Sequence, residues 1–197
     1  MHLPLMGIIS RTTGGFVPTD LASLVSWYDA NDISTLWTDS ARTDQVDADN
    51  DVVGAWDDKS GNANHLLQTT TSAKPTYKTN TLNSKPTILG DGVDDRLIDT
   101  FTLVQPEHVF IVVRTESWTF DDNVIDGNST NKMRIMQKET TPDIRLSAGT
   151  KATTNSDMTV GTFFLVEALF DGANSFSKVA DGTKATGDIG TNSADGL

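Results

Sequence analysis

The chain contains no cysteine among its 197 residues, which excludes disulfides, thiolate zinc sites and a cysteine nucleophile. Glutamate is also scarce. Only four of the 27 acidic residues are Glu, and the rest are Asp. Asp hydrogen-bonds the backbone of turns, whereas Glu favours helices. Frequent Thr, Val, Ile and Phe separated by Asp, Asn, Gly and Ser therefore predict an all-β protein.

Basic residues are few, with 15 Lys and Arg against 27 acidic residues and a net charge of −12. Such a chain is repelled by phosphate backbones and by anionic lipids, so we expect no nucleic-acid partner and no insertion into a membrane. No apolar run reaches the roughly 20 residues that span a bilayer. The apolar stretch His2–Ser10 follows no Lys or Arg and contains Pro4, which makes it a poor signal peptide.

The first 20 residues differ from the rest and predict an N-terminal arm and linker, followed by one β-domain over residues 21–197. The arm carries Leu3, Leu5, Ile8 and Ile9, and Gly14-Gly15 follows. A segment this short cannot bury four aliphatic side chains by itself. We therefore expect these four residues to dock on the main domain or on a partner chain.

The body shows short strand-like segments separated by turns, which predicts a β-sandwich or barrel. Leu24–Tyr28 and Val52–Trp56 are two of them, and Thr162–Phe170 is a longer one. His108–Thr115 contains five consecutive apolar residues, which predicts a strand buried on both faces. The polar stretch Asn31–Asp51 predicts a solvated loop with a helical turn near Asp32–Leu36.

Four characteristic segments follow one another in the N-terminal half of the chain. They are Trp27-Tyr28-Asp29-Ala30 with Asp32, Val53-Gly54-Ala55-Trp56-Asp57-Asp58-Lys59-Ser60-Gly61-Asn62-Ala63-Asn64, Lys74-Pro75-Thr76-Tyr77, and Lys85-Pro86-Thr87-Ile88 followed by Asp91-Gly92-Val93-Asp94-Asp95 and Leu97. Together they resemble one family, the LamG-like, concanavalin A-like jelly-roll domains of phage virion proteins and bacterial surface proteins. The resemblance covers about 70 residues, and the remainder fits by strand pattern only.

The resemblance implies an antiparallel jelly-roll β-sandwich on a virion surface. Met6-Gly7-Ile8-Ile9-Ser10 also looks like the start of many phage structural proteins. Two features depart from the family. Gly90 stands where an aromatic residue usually precedes the Asp-Gly pair, and the family usually continues past Leu197 with a further strand. The resemblance therefore implies a sandwich that is incomplete at its C-terminus or is completed by other residues.

Trp37 and Trp118 lie between polar neighbours, whereas Trp27 and Trp56 lie beside apolar ones and indicate core packing. An exposed Trp with nearby carboxylates and amides is typical of carbohydrate sites, because the ring covers the apolar face of a sugar. Asp121 and Asn123 follow Trp118 closely. We therefore take Trp37, Trp118, Asp121 and Asn123 as candidate carbohydrate-binding residues. The alternative is that each Trp caps an edge of the sandwich.

Asp91, Asp94 and Asp95 lie within five residues. Their carboxylates repel one another unless a cation, Arg96 or backbone amides compensate. Ca²⁺ prefers such oxygen ligands, so calcium is the candidate cofactor, with Asp57 as a fourth ligand. The simpler interpretation is that the Asp91–Asp95 segment and the segment that contains Asp57 and Asp58 each form a tight turn.

We expect no enzyme. A glycosidase needs two carboxylates facing each other across a cleft, but no Glu has an acidic partner two residues away, and no nucleophile elbow or P-loop occurs. The resemblance instead implies a phage tail-fibre, receptor-binding or capsid-decoration protein that recognises host glycans. It would contact other virion proteins through its arm and could form a homo-oligomer. The alternatives are a purely structural virion building block and a secreted bacterial carbohydrate-binding module.

Overall fold

The computed structural model describes residues 15–127, 129, 132–138, 142–153 and 158–196. The predicted arm residues Leu3, Leu5, Ile8 and Ile9 lie outside this part of the chain. Its regular structure is almost entirely antiparallel strands, with four short 3-10 turns and no α-helix among the described residues. The prediction of an all-β protein is confirmed. In the described part, no helix has the length and apolar character to cross a membrane.

Thirteen strands form four antiparallel sheets in the described residues. Their bounds are β1 Leu36–Trp37, β2 Ala55–Trp56, β3 Leu66–Leu67, β4 Thr76–Leu82, β5 Lys85–Leu89, β6 Glu107–Val113, β7 Asn123–Asp126, β8 Arg134–Lys138, β9 Asp143–Ser147, β10 Lys151–Thr153, β11 Phe164–Phe170, β12 Phe176–Val179 and β13 Ala185–Thr186. We call the sheet with strand order β13-β12-β11-β6 sheet I, and the sheet with order β10-β9-β8-β7 sheet II.

The larger hydrophobic core draws its residues from both of these sheets. Ile135, Ile144 and Leu146 come from sheet II, and Val166 and Phe170 come from sheet I. Each of these side chains is almost completely buried. The two sheets therefore enclose one apolar layer, which is the arrangement of a β-sandwich.

The N-terminal half of the described chain has its own smaller core. Leu36, Val46, Val53 and Tyr77 form it, and Trp56, Ile88 and Leu97 pack against it. The order β1-β2-β3 and the β4–β5 hairpin frame this cluster. Side-chain carboxylates brace the loops between these strands. Asp58, for example, accepts hydrogen bonds from the backbone N–H groups of Trp27 and Ser60.

Three local predictions are wrong. Leu24–Tyr28 forms no strand, because its carbonyl groups accept bonds from the Asn62 and Asn64 side chains instead of from a neighbouring strand. The polar stretch Asn31–Asp51 contains β1, since Leu36 and Val46 are buried in the smaller core. One detail of that stretch is confirmed, because the expected helical turn is present as a 3-10 turn at Ile33–Thr35.

The third wrong prediction concerns β6, which is not buried on both faces. Val109, Ile111 and Val113 pack against the larger core, but Phe110 and Val112 are 59% and 55% exposed. Phe110 and Val112 are exposed because they lie on the outer side of sheet I, which no described segment covers.

Candidate functional site

Trp37 does not lie in a polar loop, as its sequence neighbours suggested. It is the second residue of β1, where it pairs with Ala55, and it is half-buried. Its indole Nε1 donates to Asp57 Oδ2 at 2.9 Å. The indole N–H is thereby held inside the protein, so the structure favours the alternative in which this Trp caps a sheet edge.

Trp118, Asp121 and Asn123 lie near one another at the β7 end of sheet II, but each makes internal contacts. Trp118 is half-buried and packs against the larger core. The Asp121 carboxylate forms an ion pair with Arg145. Asn123 Nδ2 donates to Asp126 Oδ2 at 2.8 Å. A sugar at this place would compete with these bonds, and Trp37 belongs to a different sheet.

The Asp91-Gly92-Val93-Asp94-Asp95 segment does bring three carboxylates together. One oxygen from each of Asp91, Asp94 and Asp95 lies within 4.8 Å of the others. Asp91 Oδ1 accepts the backbone N–H of Val93 at 2.8 Å, with longer bonds from Asp94 and Asp95. These backbone bonds lower the pKa of Asp91. Burial, together with the charges of Asp91 and Asp94, raises the pKa of Asp95.

This geometry is that of an Asx turn in which backbone amides compensate the Asp91 carboxylate. The predicted fourth calcium ligand, Asp57, is not part of the group. Its carboxylate contacts Trp37, Arg42 at 3.0 Å and His65 at 3.2 Å. The structure therefore groups only three of the four predicted ligands. The three remaining carboxylates lie on a surface turn, where Asp91 and Asp94 are exposed and Asp95 is half-buried.

Among the described strands, those of sheet I carry the most exposed large apolar side chains, and these lie on its outer face. Phe110 and Val112 on β6 stand beside Leu165 on β11, which is 47% exposed. Val112 and Leu165 are direct cross-strand partners. Leu169 and Phe176, which are half-buried, continue the row on β11 and β12. Alternation places these residues on one side, because Val166, Ala168 and Phe170 point into the core.

Polar groups interrupt this outer face at defined positions. Glu167 lies between Phe110 and Lys178 in the strand register, and its Oε1 is 3.1 Å from His108 Nε2. The His108 ring stacks on Phe110 with centroids 4.4 Å apart. Lys184 Nζ lies 3.6 Å from the centre of the Phe176 ring.

We call His108, Phe110, Val112, Leu165, Glu167, Leu169, Phe176 and Lys178 the outer face. This surface was not predicted from the sequence, because the apolar run of β6 indicates a strand that is buried on both faces. Both alternating sets of β6 residues are mostly apolar, which indicates that both sides of the strand need cover but not which segment supplies it.

Comparison of the chain with protein-family models, with curated proteins and with solved structures found no match in any of the three.

Proposed function

We propose that this chain is a non-enzymatic jelly-roll domain of a phage virion surface, and that the outer face of sheet I packs it against a neighbouring virion component. The observation that carries the proposal is the contiguous exposure of Phe110, Val112 and Leu165 on regular strands. Large exposed apolar patches with polar neighbours mark interaction sites. The resemblance supports the jelly-roll type and the virion setting.

The chemistry of the outer face fits a protein partner. Aliphatic Val112, Leu165 and Leu169 offer dispersion contacts without hydrogen-bonding groups, whereas Phe110 and Phe176 offer ring faces. Protein interfaces combine an apolar centre that is enriched in aromatic residues with a polar rim. Lys178 and Lys184, which form no ion pair with a described carboxylate, supply that rim.

Host glycan recognition is a second candidate, and one observation favours it on the same face. Phe110 presents an exposed ring beside the Glu167 carboxylate and the His108 imidazole. Sugars bind where a ring meets hydrogen-bonding side chains. This arrangement is more accessible to a ligand than Trp37 or Trp118, because the Phe110 side chain is 59% exposed whereas both Trp side chains are half-buried.

The test compares two Phe residues of equal exposure. Phe110 is 59% exposed on the outer face, and Phe120 is 57% exposed in a loop. We expect Phe110→Asp to abolish incorporation of the protein into particles, as measured by mass spectrometry of purified virions. Phe120→Asp should leave incorporation near the wild-type level. Equal incorporation of both variants would contradict the docking proposal.

A glycan array separates the second candidate from the first. If a wild-type array shows binding that Phe110→Ala removes without loss of the folded state, glycan recognition takes the place of protein docking. If the wild-type chain binds no glycan and Phe110→Asp still prevents incorporation, protein docking stands.

A further inference from the structure

Besides its exposed outer face, sheet I has an unpaired edge at β6. All seven β6 residues pair with β11 on one side, and no described strand pairs on the other side. Natural proteins protect such edges with charges, bulges or Pro within the strand. β6 reads Glu-His-Val-Phe-Ile-Val-Val, with its charge only at the beginning, so its main chain is an open template for another strand.

The core under this edge is also incompletely covered. Val109, Ile111 and Val113 face the core but are only partly buried. On the adjacent strand, Val166, Ala168 and Phe170 are almost completely buried. The difference follows from the missing neighbour beyond β6. A strand added there would cover the exposed flanks of these three residues.

The chain itself contains a segment with the required chemistry. Residues 1–14 include Leu3, Leu5, Ile8 and Ile9 but no acidic residue. The rest of the chain carries all 27 acidic residues against 14 of the 15 Lys and Arg. Two such bodies repel each other, whereas Arg11 is attracted to either of them. Pro4 is compatible with an added strand, because Pro is tolerated at sheet edges.

The arm is followed by an exposed segment, Gly15–Ser23, that makes few contacts with the rest of the chain. Every residue from Gly15 to Ser23 except Pro18 is exposed. Phe16 is 70% exposed, and a Cβ at Gly15 would meet no other atom within 4 Å. Nothing in this described segment holds the arm against its own sheet I.

We propose that residues 3–9 of one copy of this chain pair with the free edge of β6 in a second copy. The main chain of β6 gives the affinity, and the apolar side chains of the arm cover the flank of the core, as in other cases of strand addition. The interaction uses the edge of sheet I and not its outer face, so it stands independently of the function proposed above.

Crosslinking in the full-length chain tests the proposal, because the absence of cysteine gives a clean background. A Leu5→Cys chain is mixed with a Val112→Cys chain and treated with a short bis-maleimide. Leu3→Cys and Ile8→Cys chains are run in parallel, since the register is open. We expect a heterodimer joined between the arm and position 112. The control is Thr186→Cys on β13, at the opposite edge of the sheet.

Three outcomes would overturn the proposal. Equal crosslinking to positions 112 and 186 would show that the two chains meet by random collision and not by specific strand pairing. Efficient crosslinking only within a single chain that carries both substitutions would assign the arm to its own body, where tethering raises the local concentration. No crosslink from any of the three arm positions would remove the pairing altogether.

Light scattering gives an independent readout. We expect the wild-type chain to have a mass above the 21.3 kDa of one copy, and Leu5→Asp with Ile8→Asp to return it to that mass. Thr13→Asp adds charge outside the apolar stretch and should leave the assembly intact. Circular dichroism of each variant is the control, and a wild-type spectrum shows that the body is folded whichever mass is found. A monomeric wild type would contradict the proposal, whereas the particle-incorporation test would be unaffected.

Discussion

In sheets I and II, the hydropathy of the strands does not match their burial. Sheet I contains the two longest apolar runs of the chain, yet alternate residues of β6 face solvent. Sheet II has central strands of mixed polarity, Arg134–Lys138 and Asp143–Ser147, yet Gln137, Arg145 and Ser147 are buried there along with their apolar neighbours. The hydropathy of a strand does not by itself tell which of its faces is covered.

The loop before β7 explains the burial in sheet II. Gln137 Oε1 accepts the backbone N–H of Thr119 at 2.7 Å, and the Gln137 backbone N–H donates to the carbonyl of Asp122 at 2.7 Å. The same loop places Asp121 against Arg145. Buried polar side chains are tolerated where each finds a partner. Sheet II therefore has its cover within the chain, whereas no described segment covers the apolar outer face of sheet I.

The largest expected effect contrasts two Phe residues of sheet I. Phe170 faces the core and is 1% exposed, whereas Phe110 faces outward. Phe170→Ala should lower the free energy of unfolding by about 3–5 kcal/mol, because it leaves a cavity between the sheets. Phe110→Ala should change it by less than about 0.5 kcal/mol. Urea denaturation measures both variants, and a loss of several kcal/mol at Phe110 would show that the outer face is covered in the isolated chain.

The next effect compares a polar pair from each sheet. Asp121→Asn should cost about 1–3 kcal/mol, because it leaves the buried Arg145 without its carboxylate. Glu167→Gln removes the half-buried carboxylate that pairs with the exposed His108 and should cost less than about 1 kcal/mol. Thermal or urea unfolding provides the measurement. A neutral Asp121→Asn would leave that carboxylate available as the predicted sugar ligand.

A smaller effect concerns Glu107, the first residue of β6. Burial raises its pKa, and the backbone N–H of His108 opposes this only in part. A raised pKa means that the folded state holds the proton to a higher pH than the unfolded state, so stability falls as the pH rises from about 4.3 through the folded pKa. Glu107→Gln should therefore stabilise the protein at pH 7 by on the order of 1 kcal/mol or less.

The Glu107→Gln advantage should vanish below about pH 4, where both states of the wild type are protonated. Unfolding curves at the two pH values give the comparison. An advantage that is the same at both pH values would show that the substitution acts through packing and not through the carboxylate charge.

The smallest effect is expected outside both sheets, at the Asp91 turn. Because backbone N–H groups already compensate Asp91, we expect millimolar Ca²⁺ to shift the melting temperature by less than about 1 °C, as for a ligand far below its Kd. A rise of several degrees that a chelator reverses would instead establish the calcium site formed by Asp91, Asp94 and Asp95. Asp91→Asn in the same buffers is the matched variant.

The strand pattern was recoverable from the sequence for β11, which lies within the predicted strand Thr162–Phe170 and whose side chains alternate against the larger core. Asp-rich turns were also recoverable, because Asp91 and Asp58 use short side chains that bond to nearby amides. Leu24–Tyr28 was not, since its apolar residues resemble a strand while its backbone bonds to distant Asn side chains. The outer face of sheet I could not be predicted, because the exposure of Phe110 depends on whether another segment covers that sheet.

The sequence by itself determined an acidic, cysteine-free, all-β chain with short strands and Asp-rich turns. These properties follow from local propensity, turn chemistry and net charge, which act over a few residues. Only the tertiary structure decided that Trp37 is bonded to Asp57, that Arg145 is buried beside Asp121, and that Phe110 faces solvent. Each of these depends on segments far apart in the chain, because burial is set by the packing of whole sheets and loops.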